Sequence, residues 1–168
     1  MSLLNGRCDG KRVWRLLLEC DDVAVGAHLV TPRGGYWHHG IYVGAGRVVH
    51  YSAQAFSLIR HPVEEVSLAR FARHHPVWIE AREVGSYDAQ EIIRRARSRL
   101  GENRYRLFTN NCEHFCEWCI RGEARSAQVD ALLAMIAVPT RLADALTGRL
   151  RGWASGWSIR ASFRTASD

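Results

Sequence analysis

An α+β fold is expected from this chain of 168 residues: a small antiparallel β-sheet packed against a helix that begins near Cys112. Three observations predict it. Gly26 to Thr31 and Pro76 to Glu83 have strand character on either side of the region that follows. Tyr36 to Ser52 is rich in aromatic and β-branched residues and is broken once, at Gly44-Ala45-Gly46. Thr109-Asn110-Asn111 then precedes an amphipathic run, and their side-chain oxygens suit the unpaired amides of a first helical turn.

Taken in order, Gly26 to Thr31 reads as a strand, followed by a turn at Pro32-Arg33-Gly34-Gly35. Trp37 to Val43 and Arg47 to Ser52 read as the arms of a hairpin, with glycines supplying the positive φ a tight turn needs. Glu64 to His74 carries Val66, Leu68, Phe71 and Ala72 at near-helical spacing and is read as a short helix. Pro76 to Glu83 returns to strand character. Asp88, with Glu91 three places on, marks a helix start, with Ile92, Ile93, Ala96 and Leu100 on its apolar face and Gly101 as its end. The cysteine helix is expected over Cys112 to Arg121, stopped by Gly122. Ser126 to Val138 and Thr140 to Leu150 read as helical pieces divided by Pro139, and the Ser-, Ala- and Arg-rich end from Trp153 to Asp168 reads as disordered.

Bulk properties narrow the functional classes. A length of 168 residues, 47% hydrophobic and 24% charged, is that of one globular domain. The net charge of +6 comes from scattered arginines, with Lys11 the single lysine, so no nucleic-acid partner is expected. Residues 1–7 lack a basic segment followed by a long apolar core, so no secretory signal is read. No apolar run approaches the ~18 residues of a spanning helix. Five cysteines, three of them between 112 and 119, fit free thiols in a reducing compartment, and a cytoplasmic location is expected, with peripheral contact to a membrane surface open to the basic chain.

The chemistry centres on Cys112. A thiol in a first helical turn sits at the positive end of the helix dipole, which favours thiolate. A cysteine nucleophile needs a base, and the base needs a third group to fix its ring. His38 and His50 lie on the two arms of one hairpin and can be cross-strand neighbours, with His38 as base and His50 as orienting partner. His39 points to the opposite face from His38 because strand side chains alternate. Cys116 and Cys119 follow at i+4 and i+7 on one helical face and are assigned to packing. His114 is read as a structural hydrogen-bonding residue.

Three blocks carry a resemblance: His38-His39-Gly40-Ile41-Tyr42-Val43-Gly44, then Gly46-Arg47-Val48-Val49-His50, then Asn111-Cys112-Glu113-His114-Phe115. In that order they resemble the lecithin:retinol acyltransferase-like family, which includes small phospholipase A/acyltransferases. The likeness continues through Ala124-Arg125-Ser126 and Gln128-Val129 and spans residues 24 to 130. It divides the chain into an N-terminal extension at 1–23, a catalytic domain at 24–130 and a C-terminal extension at 131–168. The resemblance implies a permuted papain-like topology, Cys112 as nucleophile, His38 as general base and His50 as third member. It also implies an S-acyl enzyme formed from a lipid or other acyl ester, with no cofactor and no metal. The region after Val129 is interrupted by Asp130, Pro139, Arg141 and Asp144, unlike the hydrophobic anchor many animal members carry.

Three rivals are weighed. Cys112, Cys116 and Cys119 have the spacing of a radical S-adenosylmethionine cluster site. Only 120–168 follow them, too few residues to build the barrel such a site normally begins. A peptidase or amidase could use the same Cys112, His38 and His50, since both reactions pass through an acyl-thioester. A non-catalytic interaction domain is the third; the presence of all three expected side chains weighs against it.

Overall fold

In the computed structural model, residues 6–9, 12–18, 21–52, 62–81 and 87–136 are described. The strands are Gly6–Asp9 (β1), Arg12–Leu16 (β2), His28–Arg33 (β3), Tyr36–Gly44 (β4), Arg47–Tyr51 (β5), Val63–Ser67 (β6) and Trp78–Glu80 (β7). The helices are Leu68–Ala72 (α1), Ala89–Ser98 (α2), Cys112–Arg121 (α3) and residues 127–136 (α4). All strand pairs are antiparallel, and the sheet order is β1-β2-β7-β3-β4-β5-β6. The α+β class and the antiparallel sheet expected from the sequence are present.

The hairpin forms because Gly44, Ala45 and Gly46 adopt φ of 93°, 49° and 67°, turning β4 back along β5. Ile41 pairs with Val49 and Tyr42 with Val48. Alternation then puts Ile41, Val43, Val49 and Tyr51 on one face, where they form a core with Ile92, Ile93 and Ala96 of α2 and Phe115, Cys116, Cys119 and Ile120 of α3. The opposite face packs Leu29, Val48 and Val66 against Phe71 of α1. The sheet is thus covered on both sides, and Phe115, fully buried, contributes about 1.5–3 kcal/mol of burial by itself.

Several elements differ from the sequence reading. The Glu64–His74 segment is helical only over Leu68–Ala72; Val63–Ser67 pairs with β5 as a strand. Val66 of β6 and Leu68, Phe71 and Ala72 of α1 pack into the same core, so the end of a strand and the helix after it mimic one helical face. β3 runs to Arg33, with Pro32 opposite Trp37, and the turn narrows to Gly34-Gly35. Gly26 lies before β3 at φ 75°. The strand expected over Pro76–Glu83 is confined to Trp78–Glu80, and α2 ends at Ser98 with Arg99 as C-cap. β1 and β2, within the segment read as an N-terminal extension, add to the sheet through the pairing of β2 with β7.

The chain forms two units, Met1–Gln128 and Val129–Asp168. In the second, residues 129–136 are helical, and Leu132, Leu133, Met135 and Ile136 are exposed. The readings of Thr140–Leu150 and Trp153–Asp168 lie outside the described residues. No helix among the described residues is long and apolar enough to cross a membrane.

Candidate active site

The hairpin brings His38 and His50 together. Both side chains are buried on the α1 face, and His38 Nε2 lies 2.9 Å from His50 Nδ1. Phe71 lies against both rings, with centroids 5.4 Å from each. Gly40 sits between the two histidines on this face. A Cβ there would stand 2.6 Å from Val48 Cγ1 and 2.8 Å from Phe71 Cε2, so glycine is what lets Phe71 close over the pair.

Hydrogen bonds fix the tautomers. His50 Nδ1 is also 2.8 Å from the Tyr51 carbonyl. A carbonyl only accepts, so neutral His50 carries its proton on Nδ1, shared between Tyr51 and His38 Nε2. His38 then holds its own proton on Nδ1, a buried nitrogen with no hydrogen-bond partner among the described residues. His50 Nε2 faces Glu64 Oε1 at 3.7 Å. Burial, then the neighbouring His50 and the guanidinium of Arg33, hold His38 well below the ordinary histidine range. Burial likewise lowers His50 to about 4, opposed by its bond to Tyr51.

Cys112 is the first residue of α3. Asn111 is the N-cap, and its Oδ1 accepts from the backbone amides of Glu113 (2.9 Å) and His114 (3.0 Å). His114 completes a capping box through its Nδ1, the structural role read from the sequence. The thiol is buried, with the backbone N–H groups of His39, Glu113 and Cys112 directed at the sulfur. No hydrogen bond joins Cys112 to His38 or His50 among the described residues: the sulfur is held at the β4 backbone one residue beyond His38, while the imidazoles occupy the other face. A negative charge on this sulfur would be felt at Arg33, which lines the histidine cleft, and at Tyr105.

The expected thiolate is not the resting state. Burial raises the Cys112 thiol to about 12, outweighing the helix-start amides that favour the anion; the Glu113 carboxylate adds to the rise. The resting pair is therefore a neutral thiol and a neutral imidazole.

Two buried networks escaped the sequence reading. Glu113, 1% exposed, accepts from Ser126 Oγ (2.5 Å), the amides of Ala127 and Gln128 (3.2 Å each) and Gln128 Nε2 (3.2 Å). It ties α3 to the start of α4, which explains why Ser126 and Gln128 recur in the resemblance. Gln128 Oε1 accepts from the Trp37 amide (2.8 Å), so its Nε2 donates to His39 Nε2 (2.9 Å). His39 Nδ1 then donates to His28 Nε2 (2.9 Å), and His28 Nδ1 lies 2.5 Å from the Glu80 carboxylate. His28, Glu80 and Glu117 each bring one ligand atom within 4.8 Å of the others, the donor set of a divalent cation. In this chain of bonds His28 Nδ1 bears a proton, so a cation would have to displace it and reverse the bonds back to Trp37. The network instead fixes His39, whose amide meets Cys112.

Fold and site together define an α+β protein with a histidine pair on a central hairpin and a buried cysteine at a capped helix start. The family model described as lecithin retinol acyltransferase matches residues 21–125. The chain belongs to the lecithin retinol acyltransferase family. It is 25% identical over 152 residues to lecithin retinol acyltransferase of Mus musculus and 26% identical over 152 residues to that of Homo sapiens. Each of these alignments covers 71% of this chain and 66% of the relative, so the chain spans just under two thirds of the proteins it matches. The protein of the same name from Bos taurus is 26% identical over 164 residues, covering 79% of this chain and 71% of the relative.

Proposed function

We propose that this protein is a cysteine-dependent acyltransferase or hydrolase that acts on a lipid ester through an S-acyl intermediate at Cys112. The observation that carries the reading is the His38–His50 pair, 2.9 Å apart on β4 and β5, beside a strand whose next amide reaches the Cys112 sulfur. Family membership supports acyl transfer as the reaction class, and the name of the relatives makes a lipid ester the leading donor.

His38 accepts the thiol proton at Nδ1, the nitrogen without a partner. The resting tautomers are the reverse, so both rings shift first: His38 moves its proton to Nε2, facing His50 Nδ1, and His50 carries its own on Nε2 beside Glu64, giving up its bond to the Tyr51 carbonyl. Approach of a substrate carbonyl draws the sulfur toward the cleft. The new C–S bond places an oxyanion near the backbone amides at the start of α3, which stabilise it. Collapse breaks the ester C–O bond, and His38 returns its proton to the departing alcohol. A second alcohol, an amine or water then attacks the thioester, giving up its proton to His38, and the thiol is regenerated. His50 orients His38 throughout. On this reading the catalytic domain is residues 24–130, its topology is permuted papain-like, and it meets lipid at a membrane surface.

Incubation with phosphatidylcholine, followed by intact-mass and peptide mapping, tests the donor class. An acyl adduct on Cys112 is expected. An adduct from an activated peptide ester but none from phospholipid would replace the lipid reading with a peptidase one.

A further inference from the structure

His50 has an acceptor for its ring proton at each nitrogen. Nδ1 lies 2.8 Å from the Tyr51 carbonyl, and Nε2 lies 3.7 Å from Glu64 Oε1. Glu64 stands directly opposite His50 in the register of β5 and β6, so both side chains leave the same face of the sheet. Backbone pairing, rather than a loop, sets that approach. His50 Nε2 is buried with no hydrogen-bond partner among the described residues, whereas the Glu64 side chain is 31% exposed at the rim of the cleft. In the resting tautomer this nitrogen turns a lone pair towards a carboxylate.

Arg70 of α1 reaches the other oxygen, Glu64 Oε2, at 3.6 Å, with its own side chain in solvent. The carboxylate is thus shared between an exposed guanidinium and a shielded imidazole nitrogen. Arg33 at the end of β3 and Arg73 at the end of α1 both disfavour a positive charge on either ring, and His39 of β4 does the same for His38. Tyr36 completes the titratable groups at the rim. Among the described residues that line the cleft, Glu64 is the one carboxylate. The cleft encloses about 20 Å³, room for a single water to reach the nitrogen.

We propose that Glu64 is a positioning residue for acyl transfer: it draws the His50 proton to Nε2 and so frees His38 Nδ1 to take the proton of Cys112. The inference rests on the acyl-transfer reading of Cys112, His38 and His50. His50 passes its Nδ1 proton to His38 Nε2 across 2.9 Å. His50 Nε2 takes a proton up through the cleft and His38 Nδ1 releases one to solvent, so each ring stays neutral with a single proton. Glu64 favours this arrangement because a hydrogen bond to a carboxylate is roughly twice as strong as one to a neutral carbonyl such as that of Tyr51. The 3.7 Å gap closes as the proton arrives, an adjustment common to catalytic hydrogen bonds in unliganded sites. Once Cys112 has given up its proton, the His38 imidazolium donates from Nε2 to His50, and His50 donates from Nε2 to Glu64. Arg70 opposes the effect by holding Glu64 Oε2.

The test pairs kinetics with a direct reading of the ring protons. Single-turnover acylation of Cys112 by phosphatidylcholine in neutral detergent micelles is followed across pH. The two nitrogens of His50 are read from nitrogen-15 shifts in histidine-labelled protein, assigned by their loss in H50Q. E64Q should lower the maximal rate by about tenfold and leave the half-saturating donor concentration near that of wild type. Removing a negative neighbour makes the rings harder to protonate, so the acid limb of the rate should move about one pH unit lower. The fraction of His50 protonated at Nε2 should fall with it. R70Q, which releases the carboxylate, should move both the limb and the fraction the opposite way, a gain that misfolding cannot produce. R94Q, on the exposed face of α2, should behave as wild type. An E64Q variant that acylates at the wild-type rate would overturn the proposal. So would a slower one whose acid limb and Nε2 fraction match wild type, since general damage explains that result. If wild type forms no adduct, the acyl-transfer reading falls and Glu64 is judged by the spectra alone: opposite shifts of His50 in E64Q and R70Q sustain its hold on the ring, and unchanged spectra overturn it.

Discussion

Cys112 and His38 are both uncharged at rest, and the cause is burial rather than any missing partner. Three backbone amides point at the sulfur, yet exclusion of water outweighs them and lifts the thiol to about 12. An ordinary thiol ionises near 9, so the native protein should react with iodoacetamide at Cys112 roughly a thousandfold more slowly at neutral pH than a free cysteine does. Site-resolved mass spectrometry would follow this, and the rate should still be rising above pH 10. Fast modification at pH 7 would mean that the thiol is not held as described. The cross-strand pairing of His38 with His50 and the helix start at Cys112 were legible in the sequence, because a glycine-broken hairpin and an Asn N-cap are local signals. The thiol's protonation was not. A helix start is visible in a sequence, whereas the depth of burial around it depends on β4, α2 and α3 packing together.

At the scale of elements, the hairpin and the two longer helices were readable because their punctuation is local. Gly44-Ala45-Gly46 turns the hairpin, Asp88 caps α2 through the Glu91 amide at 2.8 Å, and Gly122 at φ 82° stops α3. β6 reads as helix because Val66 and the α1 residues Leu68, Phe71 and Ala72 share one core, and their spacing does not show where the strand gives way to the helix. Gly40 stands in the His-Gly-Ile-Tyr block, and nothing local in the sequence requires it. Its reason is Phe71, which arrives from 31 residues downstream in sequence to lie over the histidines. Gly40→Ala should therefore cost about 1–3 kcal/mol by overpacking and should displace Phe71 from His38 and His50. Thermal denaturation checks the cost. The double variant with Phe71→Leu should recover part of the lost stability, and failure to recover any would show that the ring is not what the added methyl meets.

Over the whole molecule, a sheet covered on both faces keeps two neutral histidines inside and so links stability to pH. The unfolded chain binds protons at these rings near the ordinary value of 6.5, while folded His50 does so only near 4. In that interval the unfolded state holds more protons, so folding stability must fall as the pH falls from 6.5 towards 4. The share from His50 is about 3 kcal/mol at the lower end. Denaturant titrations at steps from pH 7.5 to 4.5 should show a shallower decline for His50→Gln than for wild type; parallel slopes would contradict the linkage. The two N-terminal strands belong to this scale as well. Nothing local marks Arg12–Leu16 as a strand, and its place in the sheet is set by β7, more than sixty residues away.

The central claim is that His38 activates Cys112 for attack on an ester. Its most direct test is the single-turnover rate of S-acyl formation on Cys112 from phosphatidylcholine, compared between wild type and His38→Gln at neutral pH. Loss of a general base predicts a rate lower by roughly 10²–10⁴-fold, with no adduct at all in Cys112→Ala. Equal rates for wild type and His38→Gln would contradict the account.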